Sequence, residues 1–200
     1  MKITQKNKKL LISTAILTLL FILLALNLES PIITKTNLFF NELAEKIQNP
    51  LFTFISTLFA YVFDTLTLSI LSLPIAGYLW MKKKKRVAVI FLVLMFITAL
   101  SIYALKQTIE NPRPINGLMP ETGFSFPSGH STIAVVFFGL LCSIITNKTK
   151  TIKTILITLP ILIILSRVYL NVHWFSDVIG GALLGTLLLI IGKQVYSKDP

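Results

Sequence analysis

The sequence predicts an all-α integral membrane bundle of six transmembrane helices, with a short amphipathic outer helix between spans one and two. Three observations carry this prediction. Of the 200 residues, 54% are hydrophobic and only 14% are charged, which is too apolar for an ordinary soluble domain. Six apolar runs approach or exceed the length that crosses about 30 Å of hydrocarbon at about 1.5 Å per residue. The basic residues gather in alternate connections.

The six runs follow one another without internal repeats. The first run comes after a basic stretch, as in a signal peptide, but no small-residue cleavage site follows it. It is therefore interpreted as an uncleaved span. The fourth and fifth runs are short for spanning, and we expect their polar ends to extend into a water-filled site. The runs cover residues 10–28, 58–81, 87–105, 132–146, 154–170 and 175–192.

The connections carry their own signals. Within residues 29–50, apolar and polar residues recur at helical spacing across 37–47, which indicates an amphipathic helix that either lies on the membrane surface or only connects two spans. Residues 82–86 are all basic and predict a tight turn that anchors the topology or binds anionic lipid headgroups. Residues 107–131 contain four prolines and three glycines, so we expect a shaped loop.

The net charge of +11 is a topology signal, and no nucleic-acid partner is expected. If the N-terminus is inside, 14 of the 19 Lys and Arg residues fall on the inner side. The positive-inside rule then predicts cytoplasmic termini and an extracellular or periplasmic position for loop 107–131. The single Cys142 excludes a disulfide framework, and the sequence indicates no oligomeric state. The outer side keeps five basic residues: Lys35, Lys46, Lys106, Arg113 and Arg167.

Three polar clusters interrupt the apolar sequence, and ionisable residues near a bilayer are costly and usually functional. The first contains Lys106 and Arg113. If span three stays helical, their spacing of about two turns lets both side chains share a face, and Pro112 and Pro114 then end the helix. A fixed guanidinium suits a phosphate group. Alternatively, both cations extend to the lipid headgroups.

The second cluster is Pro127-Ser128-Gly129-His130, a predicted tight turn before span four. The start of the following helix would aim free amides at an anion, and Gly129 would let a backbone amide approach it closely. Ser128 adds a hydroxyl donor, and His130 can give a proton to a leaving oxygen. Alternatively, the segment is a capping turn with a surface histidine.

The third cluster runs from Ser166-Arg167 to His173 and Asp177. Four residues separate His173 from Asp177, so they are neighbours on a helical face, and the carboxylate can orient the imidazole for attack. Arg167 can neutralise phosphoryl oxygens. Alternatively, the pair only caps a helix. Two histidines and one carboxylate are too few for a two-metal site, so no metal is expected.

Asp64 is an accessory candidate, because counting back from the basic turn puts it near the outer boundary of span two. There it would either tune a histidine or select headgroups, or else serve as a helix cap or an interfacial polar residue.

Together these motifs resemble the three-part signature of the type 2 phosphatidic acid phosphatase family, at residues 106–114, 127–130 and 166–177. The resemblance implies one six-span phosphatase domain over residues 1–200. It also implies a metal-independent and cofactor-free hydrolase that acts on phosphatidylglycerophosphate, phosphatidic acid or undecaprenyl pyrophosphate. The sequence does not rank these lipids. The alternative is a non-catalytic lipid-phosphate binder or flippase.

The resemblance also implies residue roles. His173 would be the nucleophile that forms a phosphohistidine, Asp177 would hold it, and His130 would be the general acid. The phosphoryl group would be bound by Lys106, Arg113, Ser128, Gly129 and Arg167.

Overall fold

The computed structural model describes residues 5–145 and 149–196, and every regular element among them is helical. Part of the predicted charge asymmetry rests on groups outside this description, namely Lys2, Lys148, Lys198 and the side chain of Lys6. The helices of the described residues are α1 (Gln5–Leu26), α2 (Pro31–Ile47), α3 (Pro50–Val62), α4 (Thr65–Met81), α5 (Lys85–Ile109), α6 (Gly129–Ile144), α7 (Lys150–Tyr169) and α8 (Phe175–Tyr196).

The helix lengths identify a multi-pass membrane protein. Among the described residues, α1, α5, α7 and α8 are each long and apolar enough to cross a bilayer. Helices α3 and α4 together form a fifth candidate span, which is bent by 49°. Helix α6 is apolar but has only 16 residues, so a sixth span stays a prediction.

The predicted second span, residues 58–81, is wrong as one continuous helix. Helix α3 already begins at Pro50 and ends at Val62, and α4 begins at Thr65. The break has a local cause, because the Asp64 carboxylate accepts a hydrogen bond from the Leu66 amide at 2.6 Å and caps α4. The capping interpretation of Asp64 is therefore confirmed. The other five predicted runs match α1, α5, α6, α7 and α8, although residue 146 lies outside the described residues.

The predicted amphipathic helix is α2, which packs one face against the start of α8. The side chain of Asn37 is buried and exchanges two hydrogen bonds with Ser176, at 3.0 and 2.9 Å. Phe40 stacks on Phe175 with ring centroids 3.9 Å apart. Helix α2 is therefore part of the bundle, and its contact with a membrane surface stays a prediction. Its large exposed apolar side chains are Ile32, Leu38, Phe39, Leu43 and Ile47.

The predicted basic turn is present between Met81, the last residue of α4, and Lys85, the first residue of α5. The Lys82 ammonium lies 5.7 Å from the ring centroid of Tyr78, and the Lys85 ammonium lies 5.1 Å from that of Trp80. Aromatic rings beside lysines are typical of a membrane–water interface. This end of the bundle is therefore chemically distinct from the end that holds the polar clusters.

Helix α6 is the centre of the bundle, because it packs against α4, α5, α7 and α8. Ten of its 16 residues are buried, including Ile133, Val136 and Phe137 in the main hydrophobic core. The ends of α5 and α7 and the starts of α6 and α8 meet at one end of this core. The polar clusters lie there.

Helices α6 and α8 approach closely because two glycines of α8 face α6. A β-carbon added at Gly181 would lie 2.6 Å from the Ser128 carbonyl oxygen and 2.9 Å from the Ser131 β-carbon. One added at Gly185 would lie 2.7 Å from the Thr132 carbonyl oxygen. Because the nearest atom at each position is a backbone carbonyl oxygen, a side chain at either glycine would push the two helices apart.

Gly181→Ala is therefore expected to destabilise the protein, since overpacking costs about 1–3 kcal/mol and outweighs a gain of about 1 kcal/mol in helix propensity. Gly77→Ala in α4 is the matched control, because nothing lies within 4 Å of its added β-carbon. Thermal unfolding in detergent should show a lower midpoint for Gly181→Ala alone. Equal midpoints for the two variants would contradict the close approach.

Candidate active site

The three polar clusters converge at the end of the bundle where α5 and α7 end and α6 and α8 begin. The Arg113 guanidinium reaches the connection between α7 and α8, where its Nη1 donates to the Val172 carbonyl at 2.7 Å and lies 3.2 Å from His173 Nε2. Residues that are 60 positions apart in the chain are therefore in direct contact. The charges of Lys106 and Arg167 also act on His173, where they lower the pKa of its imidazole.

The Asp177 carboxylate is buried and receives four hydrogen-bond donors. Its Oδ2 lies 3.3 Å from His173 Nδ1 and accepts the Trp174 amide at 2.8 Å. Its Oδ1 accepts Asn111 Nδ2 at 3.1 Å and the Ser125 hydroxyl at 3.3 Å. A carboxylate with this many partners is fixed in position. The sequence analysis missed Asn111 and Ser125, because they lie 66 and 52 residues from Asp177 and no local pattern links them.

The prediction that His173 and Asp177 share a helical face is only partly right. Helix α8 begins at Phe175, so His173 precedes the helix and Asp177 lies in its first turn. The contact between Asp177 and the Trp174 amide also caps α8. The same carboxylate therefore caps the helix and contacts the imidazole, and its role in orienting His173 for attack stays a prediction.

The donors around His173 define its tautomer. Arg113 can only donate, so His173 Nε2 accepts through its lone pair, while Nδ1 carries the proton and donates to Asp177. Burial, followed by the charges of Arg113, Arg167 and Lys106, lowers the pKa of His173 well below its usual value of 6.5. His173 is therefore a neutral imidazole whose Nε2 lone pair faces cations.

The prediction that Lys106 and Arg113 share a helix face is wrong. Helix α5 ends at Ile109, and Glu110 adopts a left-handed conformation with φ of 53°. Helical geometry is also disfavoured just before Pro112. Arg113 therefore lies in the connection that follows α5, one turn beyond the helix that carries Lys106.

The two cations nevertheless converge on the same loop segment. Lys106 Nζ donates to the Phe124 carbonyl and lies 3.3 Å from the Ser125 carbonyl oxygen. Arg113 Nε donates to the Gly123 carbonyl at 3.0 Å. Both side chains turn into the bundle end, so the alternative in which they extend to lipid headgroups does not describe this structure.

The second cluster forms the start of α6. Ser128 is the N-cap residue, and its hydroxyl oxygen accepts hydrogen bonds from the amide and the hydroxyl of Ser131. The Ser128 amide donates to the Asp177 carbonyl at 3.0 Å, which ties α6 to α8. Gly129 is the first helical residue and is buried. The predicted helix start is therefore correct, and it lies against the residue that holds His173.

His130 is not a surface histidine, because only 6% of it is exposed. Its Nε2 lies 3.2 Å from the Ala60 carbonyl oxygen, to which it donates, and 3.5 Å from Asp64 Oδ1. The break between α3 and α4 brings Asp64 to this position. Asp64 therefore both caps α4 and lies beside the His130 ring.

Arg167 is fully buried at the end of α7. Its Nη2 forms a salt bridge with Glu121, whose second oxygen lies 3.6 Å from Arg113 Nη2. The Glu121 carboxylate thus bridges two of the cations that were predicted to bind phosphate, so a side chain of the protein itself occupies their donors in this structure. The sequence analysis missed Glu121, and the available signal was that it is the one acidic residue in the sequence between 111 and 128.

No group of three or more His, Cys, Asp or Glu side chains that could hold a metal ion occurs within residues 5–145 and 149–196. Metal independence itself stays a prediction.

Comparison with known proteins gives a family match and two curated relatives. The PAP2 superfamily profile matches residues 87–199. Phosphatidylglycerophosphatase B of Bacillus subtilis (strain 168) is 36% identical over 102 residues, 47% of this chain and 50% of that protein. Undecaprenyl-diphosphatase of Sulfolobus acidocaldarius is 32% identical over 136 residues, 64% of this chain and 65% of that protein. The matches thus span half to about two thirds of these relatives.

Two solved structures share the fold. A transmembrane PAP2-type phosphatidylglycerolphosphate phosphatase from Bacillus subtilis superposes with a TM-score of 0.87 at 26% identity, covering 94% of this chain and 98% of the other. Aquifex aeolicus LpxE superposes with a TM-score of 0.65 at 29% identity, covering 78% and 94%. The first similarity extends over nearly all of both chains.

Proposed function

The chain belongs to the PAP2 superfamily, and from this premise we propose that it is a membrane lipid phosphatase that hydrolyses a phosphomonoester or pyrophosphate. One observation carries the proposal: His173 is neutral, its proton is held on Nδ1 by Asp177, and its Nε2 lone pair faces Arg113. Similarity to a phosphatidylglycerophosphatase and an undecaprenyl-diphosphatase supports a lipid substrate.

The first proposed step transfers the phosphoryl group to His173. Its Nε2 attacks phosphorus, the bond from phosphorus to the leaving oxygen breaks, and His130 gives that oxygen a proton. The positive charge that develops on the His173 ring is stabilised by Asp177. The Asp64 carboxylate, 3.5 Å from His130, stabilises the protonated form of the acid before transfer.

The second proposed step releases phosphate. His130, now neutral, takes a proton from a water molecule as the water oxygen attacks phosphorus, and the bond between phosphorus and His173 Nε2 breaks. The charge of the transferring group is spread over fixed donors, as electrostatic stabilisation of phosphoryl transfer requires. The proposed donors are Lys106, Arg113, Arg167, the Ser128 hydroxyl and the amides at Gly129.

We further propose that residues 1–200 form one domain with six spans, in which α6 is the short fourth span and the bent pair α3 and α4 is the second. Cytoplasmic termini then put the site at the extracellular or periplasmic side, as the distribution of basic residues supports. A headgroup can reach the site from there while its acyl or prenyl tails remain in the bilayer. A flippase or passive binder would use the same cations but has no need of the oriented pair of His173 and Asp177.

The test is phosphate release by the purified protein from a panel of phosphatidic acid, phosphatidylglycerophosphate and undecaprenyl pyrophosphate, with EDTA present throughout. We expect turnover of at least one lipid at a rate that EDTA does not change, because cations of the chain supply the charge stabilisation. The panel also ranks the substrates. Headgroup binding without turnover would favour the binder, and activity that returned only with added divalent ions would contradict metal independence.

A further inference from the structure

The Glu121 carboxylate lies where a phosphoryl group would bind. Its two oxygens contact two different guanidiniums, Arg167 through a salt bridge and Arg113 at 3.6 Å. A carboxylate that bridges guanidiniums presents the same pair of anionic oxygens as a phosphate. Substrate and Glu121 therefore compete for the same donors, and only one of them can occupy the two arginines at a time.

The resting protein needs this carboxylate because Arg167 is fully buried. Among the described residues, Glu121 is the acid within salt-bridge distance of it, and Arg167 Nε has no hydrogen-bond partner. A buried cation without a counter-charge is strongly unfavourable. Glu121 thus fills the site whenever no phosphate is bound.

The Glu121 side chain can leave the site without movement of its loop. The loop backbone is fixed on one side by the Leu118 amide, which donates to the Leu170 carbonyl at 2.9 Å. On the other side, Arg113 Nε donates to the Gly123 carbonyl at 3.0 Å. The Glu121 side chain is 20% exposed, so rotation about its own bonds carries the carboxylate towards solvent.

We propose that Glu121 is a displaceable occupant of the phosphate site that lowers the affinity for the inorganic phosphate product and speeds its release. The proposal rests on the phosphatase function proposed above. For a lipid substrate, the binding of its tail and its high concentration in the membrane offset the free energy needed to displace Glu121. Free phosphate has neither advantage, so the carboxylate returns to the arginines as phosphate departs.

The decisive measurement is the binding of inorganic phosphate by calorimetry in a His173→Ala background, where no turnover occurs. Adding Glu121→Gln is expected to tighten phosphate binding roughly tenfold, since a charge-assisted competitor is removed. Glu110→Gln is the matched control, because Glu110 is an exposed carboxylate at the start of the same connection, and it should leave the affinity unchanged. Unchanged phosphate affinity in Glu121→Gln overturns the proposal.

Two further readouts separate this role from a purely structural one. In the otherwise native enzyme, Glu121→Gln should strengthen product inhibition by phosphate and lower KM for the lipid more than it changes the rate of bond cleavage in a single turnover. If the Gln variant does not fold, Glu121→Asp, whose side chain is one methylene shorter, should give an intermediate phosphate affinity. If Glu121→Gln bound phosphate more tightly but the native protein turned over no lipid, the proposed phosphatase function would be wrong, while the proposal that Glu121 competes with phosphate would stand.

Discussion

Replacing His173 with alanine is expected to reduce phosphate release from lipid phosphates by at least about 10³-fold, since loss of a covalent nucleophile removes the reaction path itself. The chain has two histidines, and the environments of their rings differ. His173 Nε2 accepts from Arg113 through a lone pair, whereas His130 Nε2 donates to the Ala60 carbonyl. His130 therefore does not substitute for the missing nucleophile.

Controls distinguish loss of chemistry from loss of structure. His173→Ala should retain phosphate binding, because Lys106, Arg113 and Arg167 remain. His130→Asn should slow both transfers of the proton, and rapid acid-free quenching of that variant with radiolabelled lipid should trap a base-stable, acid-labile phosphohistidine on His173. Full activity of the alanine variant would end the assignment of His173 as nucleophile.

Most of the helices could be predicted from the sequence, because each apolar run is bounded by charged or helix-breaking residues. The break between α3 and α4 could not. Phe63 and Asp64 lie within an apolar run that is long enough to span a membrane, and a single carboxylate barely lowers the mean hydropathy of such a run. In the structure α3 ends at Val62, and the Asp64 carboxylate caps α4 through the Leu66 amide. That outcome depends on a local backbone geometry, which hydropathy does not report.

Part of the candidate site could likewise be predicted from the sequence, and part could not. His173 and Asp177 were found because a spacing of four residues is a local signal. Glu121 contacts Arg167 across 46 positions, and its partner is set by how loop 110–128 folds over the bundle end. The sequence analysis treated that loop as a shaped segment without assigning a role to Glu121. Contacts of this kind depend on tertiary packing and leave no periodic trace in the sequence.

Asp177→Asn is expected to lower turnover on the order of 10³-fold or more while leaving the fold nearly unchanged, because an amide of the same shape replaces the carboxylate. The carboxylate can only accept, so it holds the His173 proton on Nδ1. An asparagine side chain keeps a single oxygen. With that oxygen at the Oδ1 position it still accepts from Asn111 and from the Ser125 hydroxyl, and its NH₂ group, at the Oδ2 position, donates to Nδ1 while the contact with the Trp174 amide is lost. The imidazole proton then moves to Nε2.

That change removes the nucleophilic lone pair from Nε2. It also places the new Nε2–H group opposite another donor, because Arg113 Nη1 lies 3.2 Å from His173 Nε2. Nitrogen-15 spectra of labelled histidine report the tautomer directly, and a His130→Asn background leaves His173 as the single histidine. We expect an Nδ1–H tautomer with Asp177 and an Nε2–H tautomer with asparagine.

Ser125→Ala is the matched comparison, because it removes one of the four donors to Asp177 but keeps the charge, and it should lower turnover by about tenfold or less. If Asp177→Asn kept both the Nδ1–H tautomer and its activity, the carboxylate would be a helix cap and His173 would be oriented by Arg113 alone.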